Sequence, residues 1–536
     1  MRSPEQRPAR IYRHDANLHG SAKWATQGYL KKRQYGESGR IFLGYGLPEH
    51  GSKRGFAITT STARHGTVLG PTRSGKGICF TIPQCLNHQG SLVALDIKDG
   101  EMALITARYR AQTLGHDVFI FDPWDVVCSS LGLKQAAFNP LEKLDPASDS
   151  FVDDAFIIAE ALVVSDHARE PFWSDEARAL IAGLIMHVKV TPKIFLPVPD
   201  KGRNLGQVRA CLNLGPKAFK ELIAGEFEQD DDGNIELIKP GMAQSRNVHV
   251  RSASARILNK SDRERSGVIS TAQSNTHFLE SPPVQRALSH FDFDPSDLEH
   301  SGMSIYIVMP TDKHHTHGRL LRLMISGLLT TAARFKSKAE PPVCFLLEEA
   351  NALGHMPIIS AAYGLMAGKG LQLISVWQDF NQMAARYENW QTMIANSGFI
   401  QVLSTRDHFT SEYLSKMCGT TTIEQLSENS AALRAGLFTD PNCLSRDDAQ
   451  TSRNLITPDE IMTMHPAAQL LLLAHAHPIT AYKTAYFLDS RYRNKSGQPL
   501  YDTHHDYADK ATPRAIDFTN AKSNIGAALD SVLGGG

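Results

Sequence analysis

Residues 66–78 read Gly66-Thr67-Val68-Leu69-Gly70-Pro71-Thr72-Arg73-Ser74-Gly75-Lys76-Gly77-Ile78. A short apolar run, then a glycine-rich loop, then a lysine at the start of a helical pattern leaves few folding options. Gly70, four intervening residues, Gly75 and Lys76 match a phosphate-binding loop up to its last position. Glycine lets consecutive backbone N–H groups turn inward around a phosphate chain. The N-terminus of the following helix adds partial positive charge. Lys76 can then reach the β- and γ-phosphates. Gly70, Pro71, Thr72, Arg73, Ser74, Gly75, Lys76, Gly77 and Ile78 are therefore the candidate nucleotide cradle. One position departs. Such loops end in Ser or Thr, whose hydroxyl binds Mg²⁺, and here that residue is Gly77.

The 536 residues exceed what one hydrophobic core usually holds, so two or three domains are expected. With 56 basic and 56 acidic side chains, overall charge favours no polyanion, and any nucleic-acid surface must be a local patch. Seven cysteines with no CxxC pair fit buried thiols in a reducing compartment. No apolar run approaches the ~20 residues that span a bilayer. The N-terminal Arg2, Arg7, Arg10 and Arg13 precede no apolar stretch, which excludes a signal peptide.

From 66 to 122, strand patterns at 67–69, 91–97 and 117–121 alternate with helical ones at 78–86, kinked at Pro83, and 101–114. That rhythm predicts an α/β fold with a parallel sheet covered by helices. Between 150 and 295 the β signal disappears. Helical periodicity runs over 151–164 and 174–190, and 226–236 reads as a polar turn. Strands resume at 304–309, 343–347, 371–377 and 399–404, with late ones at 469–474 and 480–487. The expected organisation is a basic segment over 1–60 and one discontinuous nucleotide-binding domain over 61–150 and 296–490. An inserted all-α domain over 151–295 and a loosely ordered tail over 491–536 complete it.

The strand at 343–347 ends in Glu348 and Glu349. A strand ending in carboxylates is the second half of a phosphate-loop site: one group holds Mg²⁺ and the next polarises the attacking water. Glu348 is the expected metal-side group and Glu349 the base. Gln378 ends the next strand and is placed to contact a γ-phosphate or orient water. Asp96 and Lys98 end the strand at 91–97 and either line the site or form an ordinary exposed pair. His314, His315 and His317 have no Cys or carboxylate partner at a ligating distance in sequence, so a polar loop is expected there. Arg251, Arg256, Lys260, Arg263 and Arg265 sit beside only Asp262 and Glu264. They are the local candidates for contact with DNA phosphates. A solvated helix face with i,i+4 pairs is the competing reading.

Further motifs occur in order. They are Leu18-His19-Gly20-Ser21-Ala22-Lys23-Trp24-Ala25, the loop, Leu95-Asp96-Ile97-Lys98-Asp99-Gly100-Glu101 and Phe121-Asp122-Pro123. Phe138-Asn139-Pro140-Leu141, Phe172-Trp173, Ala350-Asn351-Ala352-Leu353-Gly354 after the acidic pair, Gln378-Asp379, Asn396 and Asp407 follow. With these the chain resembles the TraG-type coupling proteins of type IV secretion and conjugation, from about 17 to 488. The resemblance implies a RecA-like P-loop ATPase using ATP and Mg²⁺, with an all-helical domain, assembled as a hexameric ring. It implies recruitment of relaxase-bound DNA or protein cargo to a secretion channel, from the cytoplasmic face of the bacterial inner membrane. The family also has glycine after the loop lysine, so Gly77 is ordinary there. Its acidic pair is normally Asp-Glu, so Glu348 departs. Lys369, in Gly368-Lys369-Gly370, stands where members often carry an arginine, implying action in trans across a subunit boundary. Members usually begin with two membrane-spanning helices; this chain reaches the His-Gly-Ser-Ala region within twenty residues, implying a removed anchor or a separate anchoring protein. Two other readings stay open. One is a substrate-receptor scaffold that binds nucleotide with little hydrolysis, motivated by Glu348. The other is a double-stranded DNA translocase of the FtsK type.

Overall fold

Strands whose residues are buried throughout need neighbours on both edges and layers on both faces, and one large sheet supplies them. The computed structural model describes residues 19–36, 39–47, 55–164, 171–193, 196, 202–229, 235–300, 302–426 and 448–510. In chain order its strands are β1 (Ile41–Gly46), β2 (Ala57–Thr60), β3 (His65–Leu69), β4 (Leu92–Asp96), β5 (Asp117–Phe121), β6 (Glu226–Gln229), β7 (Ile235–Lys239) and β8 (Met303–Val308). They continue as β9 (Val343–Leu347), β10 (Leu371–Trp377), β11 (Ser397–Val402), β12 (Thr420–Leu426), β13 (Asp448–Asn454), β14 (Ala468–Leu473) and β15 (Ile479–Tyr482). Eleven of these form one sheet in the order β2-β1-β15-β14-β11-β3-β10-β9-β4-β8-β5. From β11 to β5 every pairing is parallel. From β11 to β2 every pairing is antiparallel. Apolar cores lie on both faces. The expected α/β class and parallel sheet are both present.

The chain leaves the sheet after β5 and returns at β8, its neighbour, having built a helical unit in between. The helix Pro171–Val190 is its axis, with Ala177, Leu180, Ile181, Leu184 and Ile185 buried. Helices Phe151–Leu162, Val248–Leu258 and Asp262–Thr276 pack around it.

Several expectations change. Residues 226–236 are not a plain polar turn: β6 and β7 form an antiparallel hairpin, so the unit is not purely helical. Phe227, Ile235 and Leu237 remain exposed on it, so no buried face imposed the alternation that betrays a strand. Residues 41–60 supply β1 and β2 to the sheet rather than a basic lead-in. The polar stretch after 490 folds back through residue 510, with Tyr492 and Tyr501 buried. The kink at Pro83 takes the form of a π-helical stretch, Gly77–Thr81, ahead of the helix Ile82–Asn87. His314, His315 and His317 open the helix His314–Ala333 instead of lying in a loop. Residues 1–18, with the four arginines, and 511–536 lie outside the described residues, as does Cys443; the other six cysteines are buried free thiols.

The basic run at 251–265 takes the form of the competing reading, a paired helix face, while Arg251, Arg256 and Arg263 stay exposed. It is split between two helices, because Asn247 caps the first and a Ser261–Glu264 capping box starts the second. Arg256 and Lys260 both close on Glu176, at 2.7 and 2.9 Å. Arg265 donates to the Ile257, Leu258 and Lys260 carbonyls and to Asp262, and Arg251 to the Ser245 and Arg246 carbonyls. Four of the five side chains therefore hold the helical unit together instead of presenting a free basic face. The hydrogen bonds from Arg256, opposed by burial and joined by Lys260, hold the Glu176 carboxyl down at about 2.

Burial of polar groups also ties the α/β layers. Arg110, fully buried, donates to the Cys85, His88 and Gly90 carbonyls and to Ser304 Oγ, and meets His116 Nδ1. Burial depresses the histidines: His65, His116 and His187 to about 4, and His88 to about 3. They fold neutral, whereas the unfolded chain takes up protons below the usual 6.5. Their contribution to stability is thus present above pH ~6.5 and lost as pH falls toward 4. Urea unfolding should show lower stability at pH 5 than at 7.5; equal stability would contradict this. Arg256→Ala should lower the thermal midpoint by about 2–4 °C, because it strips a partner from Glu176. It should leave affinity for a DNA oligonucleotide, read by fluorescence anisotropy, unchanged.

Candidate nucleotide site

The parallel alignment assembles the site. β3 lies between β11 and β10, with Leu69 opposite both Trp377 and Val402. β10 pairs in turn with β9, Ser375 opposite Leu347. The loop after β3, the acidic pair after β9 and Gln378 after β10 therefore leave the sheet on the same edge. Gly70 N–H donates to the Trp377 carbonyl at 3.0 Å, fastening the loop to the Gln378 strand.

The loop is wound tightly. Gly75 has φ 92° and Arg73 φ 66°, a left-handed conformation that costs a side-chain-bearing residue energy. A Cβ on Gly70 would lie 2.4 Å from Ser74 Oγ, so any larger residue there would displace the Ser74 hydroxyl. Cys79 N–H donates to the Gly75 carbonyl, starting the helical turn. Lys483, just after β15, braces the loop from below through the Ser74 and Leu403 carbonyls, at 3.1 and 2.9 Å. No local pattern in the residue order marks that brace. Lys76 is 5% exposed, and its ammonium donates to the Gly70 and Pro71 carbonyls. Burial lowers its pKa, opposed by the nearby Glu349 and Glu348.

Glu349 sits in the left-handed region, φ 58° and ψ 60°, at the abrupt end of β9. Its Oε1 accepts from Gln378 Nε2 at 3.2 Å, so the two residues predicted to manage water are in contact. Glu348 points the other way and is 1% exposed. Its Oε1 accepts from Lys98 Nζ at 2.7 Å, and its Oε2 is buried with no hydrogen-bond partner among the described residues. Burial pushes the Glu348 carboxyl up, and the Lys98 and Lys76 ammoniums pull it back only in part. Asp96, read as a site-edge or exposed residue, is fully buried; its Oδ2 accepts from Ala103 N–H at 2.8 Å and caps the next helix.

A cavity of about 320 Å³ is lined by Pro71, Thr72, Arg73, Gly75, Lys76, Gly77, Ile78, Lys98, Glu101, Glu349 and Tyr507. Seven of the nine loop residues predicted as a cradle thus line one space, with Glu349 on its wall, and Gly70 and Ser74 lie outside its lining. Sequence reasoning missed Glu101, Tyr507 and the engagement of Lys98. Glu101 had been visible only as the end of a motif, and Tyr507 lies in a segment read as a tail. A larger cavity of about 560 Å³ lies in the helical unit, among Phe219, Ile257 and Ile269. The buried ionisable groups collect at the smaller one instead. Lys369 is not brought to this site: it precedes β10, at the opposite end of the strand from Gln378, and donates to the Phe335 carbonyl at 3.3 Å.

The donor set suits a hard cation. All candidate ligands are carboxylate oxygens, which Mg²⁺ prefers, and the unsatisfied Glu348 Oε2 is a buried oxygen that a cation would satisfy. These residues fit the metal the loop implies.

Comparison with known proteins identifies relatives of the whole chain. The Escherichia coli conjugal transfer protein TraG is 27% identical over 480 residues, covering 83% of this chain and 71% of the relative. Protein VirD4 of Rhizobium radiobacter is 24% identical over 480 residues, covering 88% of this chain and 64% of VirD4. Among solved structures, the bacterial conjugative coupling protein TrwBdeltaN70 superposes with a TM-score of 0.61 at 15% identity, covering 86% of this chain and 91% of its own. Plasmid coupling protein TrwB in complex with the non-hydrolysable ATP analogue ADPNP superposes with a TM-score of 0.60, also at 15% identity, covering 86% and 93%. At such identity the structural match establishes the fold. No helix among the described residues is long and apolar enough to cross a membrane. Residues 23–508 match the model of the type IV secretory system conjugative DNA transfer family, and the chain belongs to that family.

Proposed function

We propose that this chain is the ATP-hydrolysing coupling protein of a conjugative type IV secretion system. The observation that carries the reading is the convergence of Lys76, Glu349 and Gln378 at one edge of the parallel sheet. Gly70 to Ile78 wrap the phosphates with backbone N–H groups, and Lys76 exchanges its two carbonyl partners for phosphate oxygens. Glu349, held by Gln378, accepts a proton from the attacking water. Gln378 is also placed to report the γ-phosphate to the helix Phe380–Arg386 that follows it. Mg²⁺, when bound, neutralises charge on the β- and γ-phosphates, and Glu348 is the proposed protein ligand on the β9 side. The proposed assembly is a hexamer that takes relaxase-bound DNA to the secretion channel at the inner membrane. Lys369 belongs to this reading only as a residue offered to a neighbouring subunit.

DNA contact finds its support away from the helical unit. A cleft of about 280 Å³ is lined by His314, His315, Arg319, Arg322, Asn351, His355 and Arg386 among others, and its described lining contains no carboxylate. Arg386 Nε donates to Asn351 Oδ1 at 2.9 Å. Asn351 lies two residues beyond Glu349, and Arg386 ends the helix after Gln378, so a phosphate held here would touch the segments that follow β9 and β10.

Lys76→Ala should lower ATP turnover by about 100-fold or more, the loss of one pre-organised cation. Glu349→Gln should keep nucleotide binding while losing turnover by roughly 10²–10⁴-fold. Nucleotide binding without Lys76-dependent turnover in the unaltered protein would instead favour the scaffold reading. Arg386→Ala should weaken single-stranded DNA binding at every sequence and reduce the salt slope by about one. A strong preference for duplex DNA in the same titration would favour a translocase of the FtsK type.

A further inference from the structure

The position that lacks a hydroxyl faces two carboxylates. A Cβ built on Gly77 would lie 3.6 Å from Glu101 Oε2 and 3.9 Å from Glu348 Oε1, ordinary contact distances with no clash. Crowding therefore does not explain the glycine. The side chain that Gly77 omits would have projected toward a space already faced by oxygen ligands.

Both carboxylates are fixed. Glu101 opens the helix Glu101–Gln112, directly after the left-handed Gly100. Its Oε1 accepts from Tyr507 Oη at 2.8 Å, which leaves Oε2 turned toward Gly77. Glu348 is buried with its Oε1 on Lys98 and its Oε2 unpartnered. The Glu348 oxygen nearest Gly77 is the Oε1 that Lys98 holds, while Lys76 is committed to the loop carbonyls. An unmatched buried carboxylate oxygen is costly, and a divalent cation with oxygen ligands is the group that removes the cost.

We infer that Glu101 supplies the ligand that the loop lacks: the Mg²⁺ that accompanies nucleotide is held between Glu101 Oε2 and Glu348, in front of Gly77. Tyr507 is a positioning residue that orients Glu101. This inference rests on the ATPase reading and adds to it a ligand from the strand–helix junction after β4.

The test uses Mn²⁺ as a paramagnetic stand-in, with binding of Mn²⁺·ADP and of metal-free ADP in EDTA measured on the full chain by electron paramagnetic resonance and calorimetry. Glu101→Gln should weaken Mn²⁺·ADP by about 10- to 100-fold while changing metal-free ADP by less than about twofold. Adding Gly77→Ser to Glu101→Gln should recover part of the lost metal affinity, because a hydroxyl there has room and points at the same space. Should Glu101→Gln fail to fold by circular dichroism, Glu101→Asp, which keeps the charge but shortens the reach, is expected to show the same selective loss in smaller measure. Equal weakening with and without metal, or unchanged Mn²⁺·ADP affinity, overturns the inference while leaving the ATPase reading intact. Absence of any Lys76-dependent nucleotide binding in the unaltered protein overturns both.

Discussion

Parallel pairing of β3 with β10 and of β10 with β9 is the constraint on which the site depends. In a parallel sheet all C-terminal strand ends lie on one edge, and the side chains just beyond them are brought together without further instruction. Here that edge collects the phosphate loop, the acidic pair and Gln378. The hydrogen bond from Gly70 to the Trp377 carbonyl fixes the loop against the very strand that ends in Gln378. The helical unit leaves and re-enters between adjacent strands β5 and β8, so a long insertion does not disturb this alignment.

Electrostatics then divides the edge into two halves. Glu349 is half-buried, held by an amide and open to the cavity, the setting that the proposed base requires. Glu348 is buried, bonded to Lys98 and close to Gly77. Adjacent residues of the same chemical type thus meet different surroundings at the left-handed turn of Glu349. Backbone strain at that residue is repaid in orientation, a pattern common where function requires two neighbouring side chains to diverge.

Much of this was legible from residue order. Strand–helix alternation located β4, β8, β9 and β10, because strands buried on both faces read as continuous apolar runs, and the edge strand β5 through its apolar residues 118–121. The failures share a cause. The β6–β7 hairpin exposes both faces and so carries no alternating pattern. The basic run looked like a surface because sequence shows charges but not their partners, and Glu176 lies about eighty residues away. Lys483 and Tyr507 reach the site from some four hundred residues downstream, where no local pattern marks them.

The sequence by itself determined the chemistry of the loop, the acidic pair and the alternation that makes the sheet parallel, since each is a local matter of residue type, spacing and burial pattern. Only the tertiary structure decided which charges are free, which are paired, and what stands before Gly77. Those outcomes depend on distances between residues remote in the chain, and a carboxylate acquires its role from the cation, hydroxyl or empty oxygen beside it. The missing hydroxyl could be read from one letter; the two carboxylates facing it required the fold.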